Sequence, residues 1–462
     1  RVTVRHSAGN ALLALAPRLT VDQRNEVSVE LSRGLELGQQ EFAKYIPDYL
    51  GRFALWLPPA QLEELLADLS QTLNAASGRM AASALDTVGV IYEEYDTYRT
   101  RFPEEPEAYR SRRERLLGML MKRLAGSDGG ARQEAMFVLG RRVFGSGSLG
   151  EHEKRQAFLL TEQKLLETCY EEDALTFYYR ASMLGRVYRF MTEQRLFHGG
   201  FPFEKPRPIA FFPGTFDPFT LSHKGIVRAI RDRGFEVLLA IDEFSWSKRT
   251  QPYRIRRRIA AMSVADEFHV HIFPEDFPVN IANPGNLRCL REAFPGRPVS
   301  IVVGSDVVAH ASSYQKHVEP DSIHTFDHVI FRREELGGPV DYGCIRGRVV
   351  ELTLPPQLEE ISSTRIREAV DANRDISRLV DPAVQDFIYR RGLYLREPQD
   401  KPMLQTEDLE FSVSQHPAEE LLPLLRELGP DGSAVARAVS ESGDQAVLLH
   451  RCGQTCVLGA VT

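Results

Sequence analysis

Phe211-Phe212-Pro213-Gly214-Thr215-Phe216-Asp217-Pro218-Phe219-Thr220-Leu221-Ser222-His223 decides the reading of this chain. The apolar run at residues 209–212 reads as a buried strand, and the amphipathic stretch from His223 through Ile230 reads as a helix. A glycine-bearing turn between a strand and a helix suits a phosphate. Gly214 permits tight backbone approach, and a helix start offers N–H groups and the positive end of a dipole. Ser222 is the expected N-cap. Thr220 and His223, three residues apart, can point at one phosphate. By itself the string is also compatible with a turn that merely starts a helix.

Further along, apolar runs at 237–241, 269–273, 299–303, 328–331 and 349–354 alternate with helical stretches. Several are apolar on both faces, as buried parallel strands are. Strand–helix alternation predicts βαβ units, a parallel sheet and right-handed crossovers. Ligands of such sheets sit beyond the carboxyl ends of the strands. A second string, Ile361-Ser362-Ser363-Thr364-Arg365-Ile366-Arg367, follows the last of these runs and Pro355-Pro356. Ser362 or Ser363 caps the helix that begins there. Ser363, Thr364 and Arg367 share one face by their three- and four-residue spacing. Hydroxyls, free amides and a guanidinium on one face can clamp a polyphosphate. Alone, that string also fits a capped helix with an exposed arginine.

The first 200 residues read as helices. Leu62, Leu65, Leu66, Leu69 and Leu73 form one apolar stripe, and Leu116, Leu117, Leu120 and Leu124 another. Each is followed by a break and a second helix, about 50 residues apart, which suggests HEAT-like stacking or an ordinary bundle. A further helical stretch at 151–193 carries Phe177, Tyr178, Tyr179, Tyr188 and Phe190, expected to pack in the core. Gly199-Gly200 and the prolines at 202, 206 and 208 mark a linker. Beyond Glu397 the expectation is a polar linker, a helix at 418–428, and an apolar run from Ala446 with a turn at Gly453.

The composition fits this plan. At roughly 150 residues per domain, 462 residues suggest about three domains. Hydrophobic residues are 43% and charged residues 26%, so a sizeable core is expected. The net charge is 57 − 64 = −7, which argues against a general nucleic-acid binder. The longest apolar runs fall far short of the ~18 residues a membrane span needs. Five cysteines without metal or redox spacing point to reduced thiols in a cytoplasm. The chain opens on Arg1, without Met, and reads as a piece of a longer protein. Arg256-Arg257-Arg258 is expected to be a solvated helix face. His269 and His271, with no third ligand in view, are expected to be packing or surface histidines, and no metal site is expected.

Together the two strings resemble the nucleotidyltransferase superfamily that carries T/H-x-G-H and ISSTxxR motifs. Its members include nicotinate and nicotinamide mononucleotide adenylyltransferases, phosphopantetheine adenylyltransferase and cytidylyltransferases. Thr220 and His223 stand at the first motif's key positions, and Ser222 stands where the family usually has Gly. Residues 361–367 match the nicotinate and nicotinamide enzymes, as does the tail from Leu379 to Tyr394. The resemblance covers about residues 205–395. It implies a Rossmann-like α/β domain that transfers adenylyl from ATP, with Mg²⁺, to a mononucleotide.

The resemblance also implies roles. His223 would hold the α-phosphate oxygens, Thr220 would orient the acceptor phosphate, and Lys248 would assist. Gly214, Thr215, Phe216, Asp217 and Ser222 would lie around the ATP phosphates. Ser362, Ser363, Thr364 and Arg367 would hold the β- and γ-phosphates. Gly304 and Asp306 would contact the nucleotide, and Trp246 would stack on a ring or pack. Pantetheine phosphate or a cytidylyl reaction is the alternative, as is a nucleotide-sensing scaffold without turnover. The expected architecture is multi-domain: an all-α region at 1–200, a nucleotidyltransferase domain at 201–396, and a linker with a short α/β piece at 397–462 that resembles the opening of a GNAT-type acetyltransferase. Residues 201–395 are expected to fold and bind ATP alone. The expected partners are ATP and a mononucleotide, with no nucleic acid and no membrane, and a protein partner or self-association through the N-terminal helices.

Overall fold

The computed structural model describes the chain except residues 1, 37–42, 76–77, 171–173, 202–205, 243–249, 275–279, 333–340, 396–402, 407–408, 415–445, 452–453 and 461–462. It falls into two compact units. The first is Arg1–Ile366 with Ile376–Asp386; the second is Arg367–Asp375 with Phe387–Thr462.

The first unit opens with helices α1 (Val2–Leu15), α2 (Val21–Glu36), α3 (Ile46–Ala54), α4 (Pro59–Ala75), α5 (Gly78–Arg101), α6 (Pro106–Ala125), α7 (Gly129–Val138), α8 (Glu151–Glu167) and α9 (Phe177–Phe197). The leucine stripes of α4 and α6 are buried as their spacing requires. α5 packs against α3, α4, α6 and α7, so the region is a bundle around a central helix rather than a regular stack of repeats. The aromatics of α9 depart from expectation. Phe190 is buried, but Phe177, Tyr178, Tyr179 and Tyr188 are exposed. α9 buries only the stripe Met183, Val187, Phe190 and Gln194, and the other rings lie off it.

The sheet follows: β1 (Ile209–Gly214), α10 (Leu221–Arg231), β2 (Glu236–Ile241), α11 (Tyr253–Ser263), β3 (Val270–Ile272), α12 (Pro284–Glu292), β4 (Val299–Gly304), α13 (Ser305–His310), α14 (Ser312–Gln315), β5 (Asp327–Phe331), β6 (Val349–Leu352), α15 (Pro356–Glu359), α16 (Ser363–Asp371) and α17 (Pro382–Arg391). The strand order is β3-β2-β1-β4-β5-β6, and every pairing is parallel. All six strands fall where the apolar runs predict. The chain runs outward from β1 to β3 and then returns to β4 on β1's other side. A crevice therefore opens between β1 and β4 at the strands' carboxyl ends.

Residues beyond 397 differ from expectation. Their described part is an antiparallel sheet of order β10-β9-β8-β7: β7 (Met403–Thr406), β8 (Leu409–Ser414), β9 (Ala446–Arg451) and β10 (Gln454–Ala460). The presumed polar linker thus holds two strands. Leu409, Phe411 and Val413 alternate with Glu410, Ser412 and Ser414 in the period-two pattern of a half-buried strand. The helix expected at 418–428 lies outside the described residues. No described helix is long and apolar enough to cross a membrane.

Candidate active site

The decisive loop leaves β1 at the switch between β1 and β4. Gly214 is small for an internal reason. A Cβ there would meet the Phe216 ring at 2.8 Å. Phe216 itself takes φ 46, in the left-handed region, and is buried. The space over Gly214 is thus filled by the loop's own ring rather than left for a ligand.

The helix that follows is capped by Thr220, not Ser222. The Thr220 hydroxyl accepts the His223 N–H at 3.2 Å, and His223 Nδ1 accepts the Thr220 N–H at 3.0 Å, a reciprocal capping box. Ser222 is the second helical residue. It was mistaken for the cap because both residues are good caps and the helix starts two residues earlier than its apolar pattern suggests. The Leu221 N–H donates to the Leu379 carbonyl. Two leading amides of α10 are therefore engaged within the protein, and the helix start offers fewer free donors than expected.

Because Nδ1 accepts a backbone N–H, the proton of neutral His223 sits on Nε2. The ring is held among Phe212, Phe216 and Phe219, with centroids at 6.4, 5.1 and 5.2 Å. With Nδ1 held by the Thr220 N–H, the ring presents an Nε2–H near the end of β1. Phe212 also meets Phe331 of β5 at 5.9 Å. The Phe331 ring lies beside Gly304, where a Cβ would meet it at 3.1 Å and Asp306 Oδ1 at 2.2 Å. Gly304 and Asp306 thus stand at the carboxyl end of β4, within the same rim of aromatic rings as His223.

The second motif joins the first directly. The Ser363 hydroxyl donates to the Pro218 carbonyl at 2.9 Å, across 145 residues of sequence. Ser362 caps α16, its hydroxyl accepting the Arg365 N–H at 3.2 Å. Ser362 and Thr364 are exposed. Arg367 follows on the same helix, in the second compact unit. Asp217 is buried, and both its carboxylate oxygens accept the Gln251 N–H at 3.3 Å. Thr215 hydrogen-bonds the Asp242 carboxyl, which burial pushes above the usual range despite that bond and the charge of Arg256. Lys248 and Trp246 lie outside the described residues.

Arg256 overturns the solvated-face expectation. It is 1% exposed and donates to the carbonyls of Gln251 at 2.8 Å, Thr215 at 2.6 Å and Asp242 at 2.6 Å. One guanidinium thereby ties the loop after β1 to the end of β2 and the approach to α11. Arg257 reaches the Phe273 carbonyl and Glu167, and Arg258 the Gly126 carbonyl. The missed signal was phase: Arg256 lies three, four and seven residues before Ile259, Ala260 and Ser263, on the buried face of α11. Sequence reasoning also passed over Lys224. It is 4% exposed and sits between Asp266 Oδ1 at 2.7 Å and Asp381 Oδ2 at 3.1 Å, with Glu267 at 3.6 Å. Burial alone would lower the Lys224 ammonium, but these carboxylates outweigh it and raise it. His271 is buried against Glu236, with Nε2 and Oε1 3.0 Å apart, as a packing histidine.

A parallel sheet of this order, with a histidine beside the end of its first strand and a serine-rich helix start bonded to the same loop, brings the two sequence motifs together. Residues 211–369 match the cytidylyltransferase-like family, and this chain is a nucleotidyltransferase enzyme carrying that domain. A probable nicotinate-nucleotide adenylyltransferase of Chromobacterium violaceum is 25% identical over 214 residues, 40% of this chain and 98% of the relative. One of Pelodictyon phaeoclathratiforme is 27% identical over 220 residues, 42% of this chain and 98% of the relative. A solved Plasmodium falciparum nicotinic acid mononucleotide adenylyltransferase complexed with NaAD aligns at 18% identity over 41% of this chain and 97% of its own, with a TM-score of 0.35.

Proposed function

We propose that this enzyme transfers an adenylyl group from ATP to nicotinate or nicotinamide mononucleotide, forming a dinucleotide. A phosphate oxygen of the mononucleotide attacks the α-phosphorus of ATP in line. The bond from that phosphorus to the bridging oxygen breaks, and pyrophosphate leaves. The attacking phosphate is already an anion, so positioning and charge stabilisation supply most of the acceleration.

In this reading His223 donates its Nε2–H to a non-bridging α-phosphate oxygen as charge builds there. Thr220 fixes the His223 tautomer through the capping box and lies beside the acceptor phosphate. Gly214, Thr215, Phe216, Asp217 and Ser222 shape the wall of the ATP site, with Lys248 assisting. Ser362, Ser363, Thr364 and Arg367 form the grip on the β- and γ-phosphates, while Gly304, Asp306 and Trp246 serve the nucleoside. Mg²⁺ enters as part of the MgATP substrate, held by phosphate oxygens and water. Among the described residues no group of three His, Cys, Asp or Glu side chains is placed to hold a metal. Residues 1–200, 201–396 and 397–462 are taken as three domains, and the reaction as cytoplasmic.

The observation that carries this reading is the Ser363–Pro218 hydrogen bond. It brings the second motif onto the loop of the first, beside His223, where a triphosphate could touch both. The test is pyrophosphate release from MgATP with nicotinate mononucleotide, nicotinamide mononucleotide and phosphopantetheine, and from MgCTP. Turnover should be greatest with one of the two pyridine mononucleotides. Turnover with phosphopantetheine alone, or with CTP alone, contradicts the proposal. Binding of ATP without turnover on any acceptor makes the protein a sensor instead.

A further inference from the structure

Two chains of polar contacts run from the N-terminal helices to α10, the helix that carries Thr220 and His223. The first begins at Lys164 on α8. Its ammonium is partly buried and donates to the carbonyls of Val264 at 2.7 Å and Val270 at 2.9 Å. These carbonyls flank the turn from α11 into β3. Burial pulls Lys164 down to about 8 against the pull of Asp266 and Glu267. The gripped turn holds Asp266 and Glu267, and their carboxylates face α10. Asp266 receives Lys224, and Glu267 receives Arg228 and Arg231.

The second chain begins at Lys122 on α6. Its ammonium lies 3.1 Å from Asp381 Oδ2, the same oxygen that Lys224 approaches at 3.1 Å. Asp381 is 3% exposed. Two residues earlier, the Leu379 carbonyl accepts the N–H of Leu221, the first residue of α10. α6 also comes close to the turn itself: a Cβ on Gly118 would lie 3.5 Å from that of Asp266. Burial alone would raise the Asp266 carboxyl, but the Lys224 and Lys122 ammoniums outweigh it and hold it low. Both chains therefore end on Lys224, the residue after His223.

We propose that the N-terminal helices are a brace for the catalytic helix: Lys122 and Lys164 are positioning residues that fix α10 through Asp381 and the turn at 264–270, and so aim His223. The proposal rests on the adenylyl-transfer reading for its kinetic consequence but not for its structural one. It goes beyond the sequence-level expectation that residues 201–395 fold and bind ATP alone, because it makes turnover depend on the helices as well. Contacts to a buried carboxylate such as Asp381 hold direction, because that ion has little water to replace a lost partner. A misplacement of about 1 Å by a change far from the chemistry can cost up to ~10²-fold in rate.

The test uses the full chain with Lys122→Met, Lys164→Met and Lys122→Arg. Lys122 is partly exposed, and its loss leaves Asp381 still paired with Lys224, so this variant should fold even if Lys164→Met does not. Hydrogen exchange of the peptide covering α10 is compared with that of the α5 and β4 peptides. Lys122→Met should speed α10 exchange by ~10-fold or more and leave α5 and β4 unchanged, because local opening is set by local contacts. On the best acceptor it should lower kcat by ~10-fold with KM for ATP within about twofold, and Lys122→Arg should restore at least about half of kcat. Unchanged α10 exchange in Lys122→Met overturns the brace whether or not the wild type turns over. With an active wild type, kcat within about twofold for both methionine variants overturns it as well. A wild type inactive on every acceptor defeats the adenylyl-transfer reading alone, since the exchange result still decides the brace.

Discussion

The two faces of the parallel sheet bury polar groups of different kinds. Phe212 points to the face under α10, and its neighbour Phe211 to the other, since successive strand residues alternate. Under α10 the interior holds ions: Lys224 among Asp266, Glu267 and Asp381. On the opposite face, within the core that contains Phe211 and Tyr314, it holds neutral rings. His328 Nδ1 donates to the Phe326 carbonyl at 2.9 Å, so its Nε2 accepts the Tyr314 hydroxyl at 2.9 Å. Burial lowers His328 to about 4 from 6.5, so this ring is neutral near pH 7. With Lys122 on Asp381, the ionic cluster ties together residues from four segments and sets the direction of one helix. The neutral cluster fills one pocket of the core. The ionic cluster should be sensitive to the loss of a partner, and the neutral cluster to acid, because protonating buried His328 puts a charge in that core.

The largest expected effect is on the ionic side. Lys224→Met leaves buried carboxylates with fewer partners and should lower stability by ~3–5 kcal/mol, read as the urea midpoint at pH 7. A loss below about 1 kcal/mol would mean the cluster is solvated and the contrast false. The neutral side should respond to acid. His328 has a folded-state value near 4 and an unfolded value of 6.5, so the unfolded chain binds more protons between those values. The His328 contribution to stability should therefore fall as pH drops from 6.5 to 4, by up to about 3 kcal/mol, and that contribution should fall no further below. His328→Gln should be less stable at pH 7 but lack this component of the acid slope. An identical slope in the variant would assign the loss to other groups.

A smaller effect joins the ionic side to the chemistry. Thr220→Ala removes the hydroxyl of the capping box and should cost about 1 kcal/mol, while Thr220→Ser keeps most of it. If alanine matches serine in stability, the box is not what holds the start of α10.

The sheet was legible because its strands are apolar on both faces and flanked by turns, so a buried parallel strand is their simplest reading. Thr220, His223, Ser362 and Ser363 were legible because motif spacing fixes them locally. What escaped was set by tertiary partners. Nothing near Lys224 in sequence announces Asp381, and nothing near Lys122 announces α10. Arg256 escaped because a run of three arginines hides that one of them faces inward. Ser222 was misassigned because two capping residues lie two apart, and only the Thr220–His223 geometry separates them. The exposed rings of α9 lie outside the stripe that a helix of that phase buries.

The most direct measurement is kcat and ATP Kd for His223→Ala on the best acceptor, by pyrophosphate release and calorimetry. A donor aimed where charge develops only in the transition state should matter to turnover and little to ground-state binding. The expected result is a fall in kcat of ~10²–10³-fold, with ATP Kd changed by less than about threefold. Retention of more than about a third of wild-type kcat would make His223 a capping and packing residue, and would contradict its place in the transfer step.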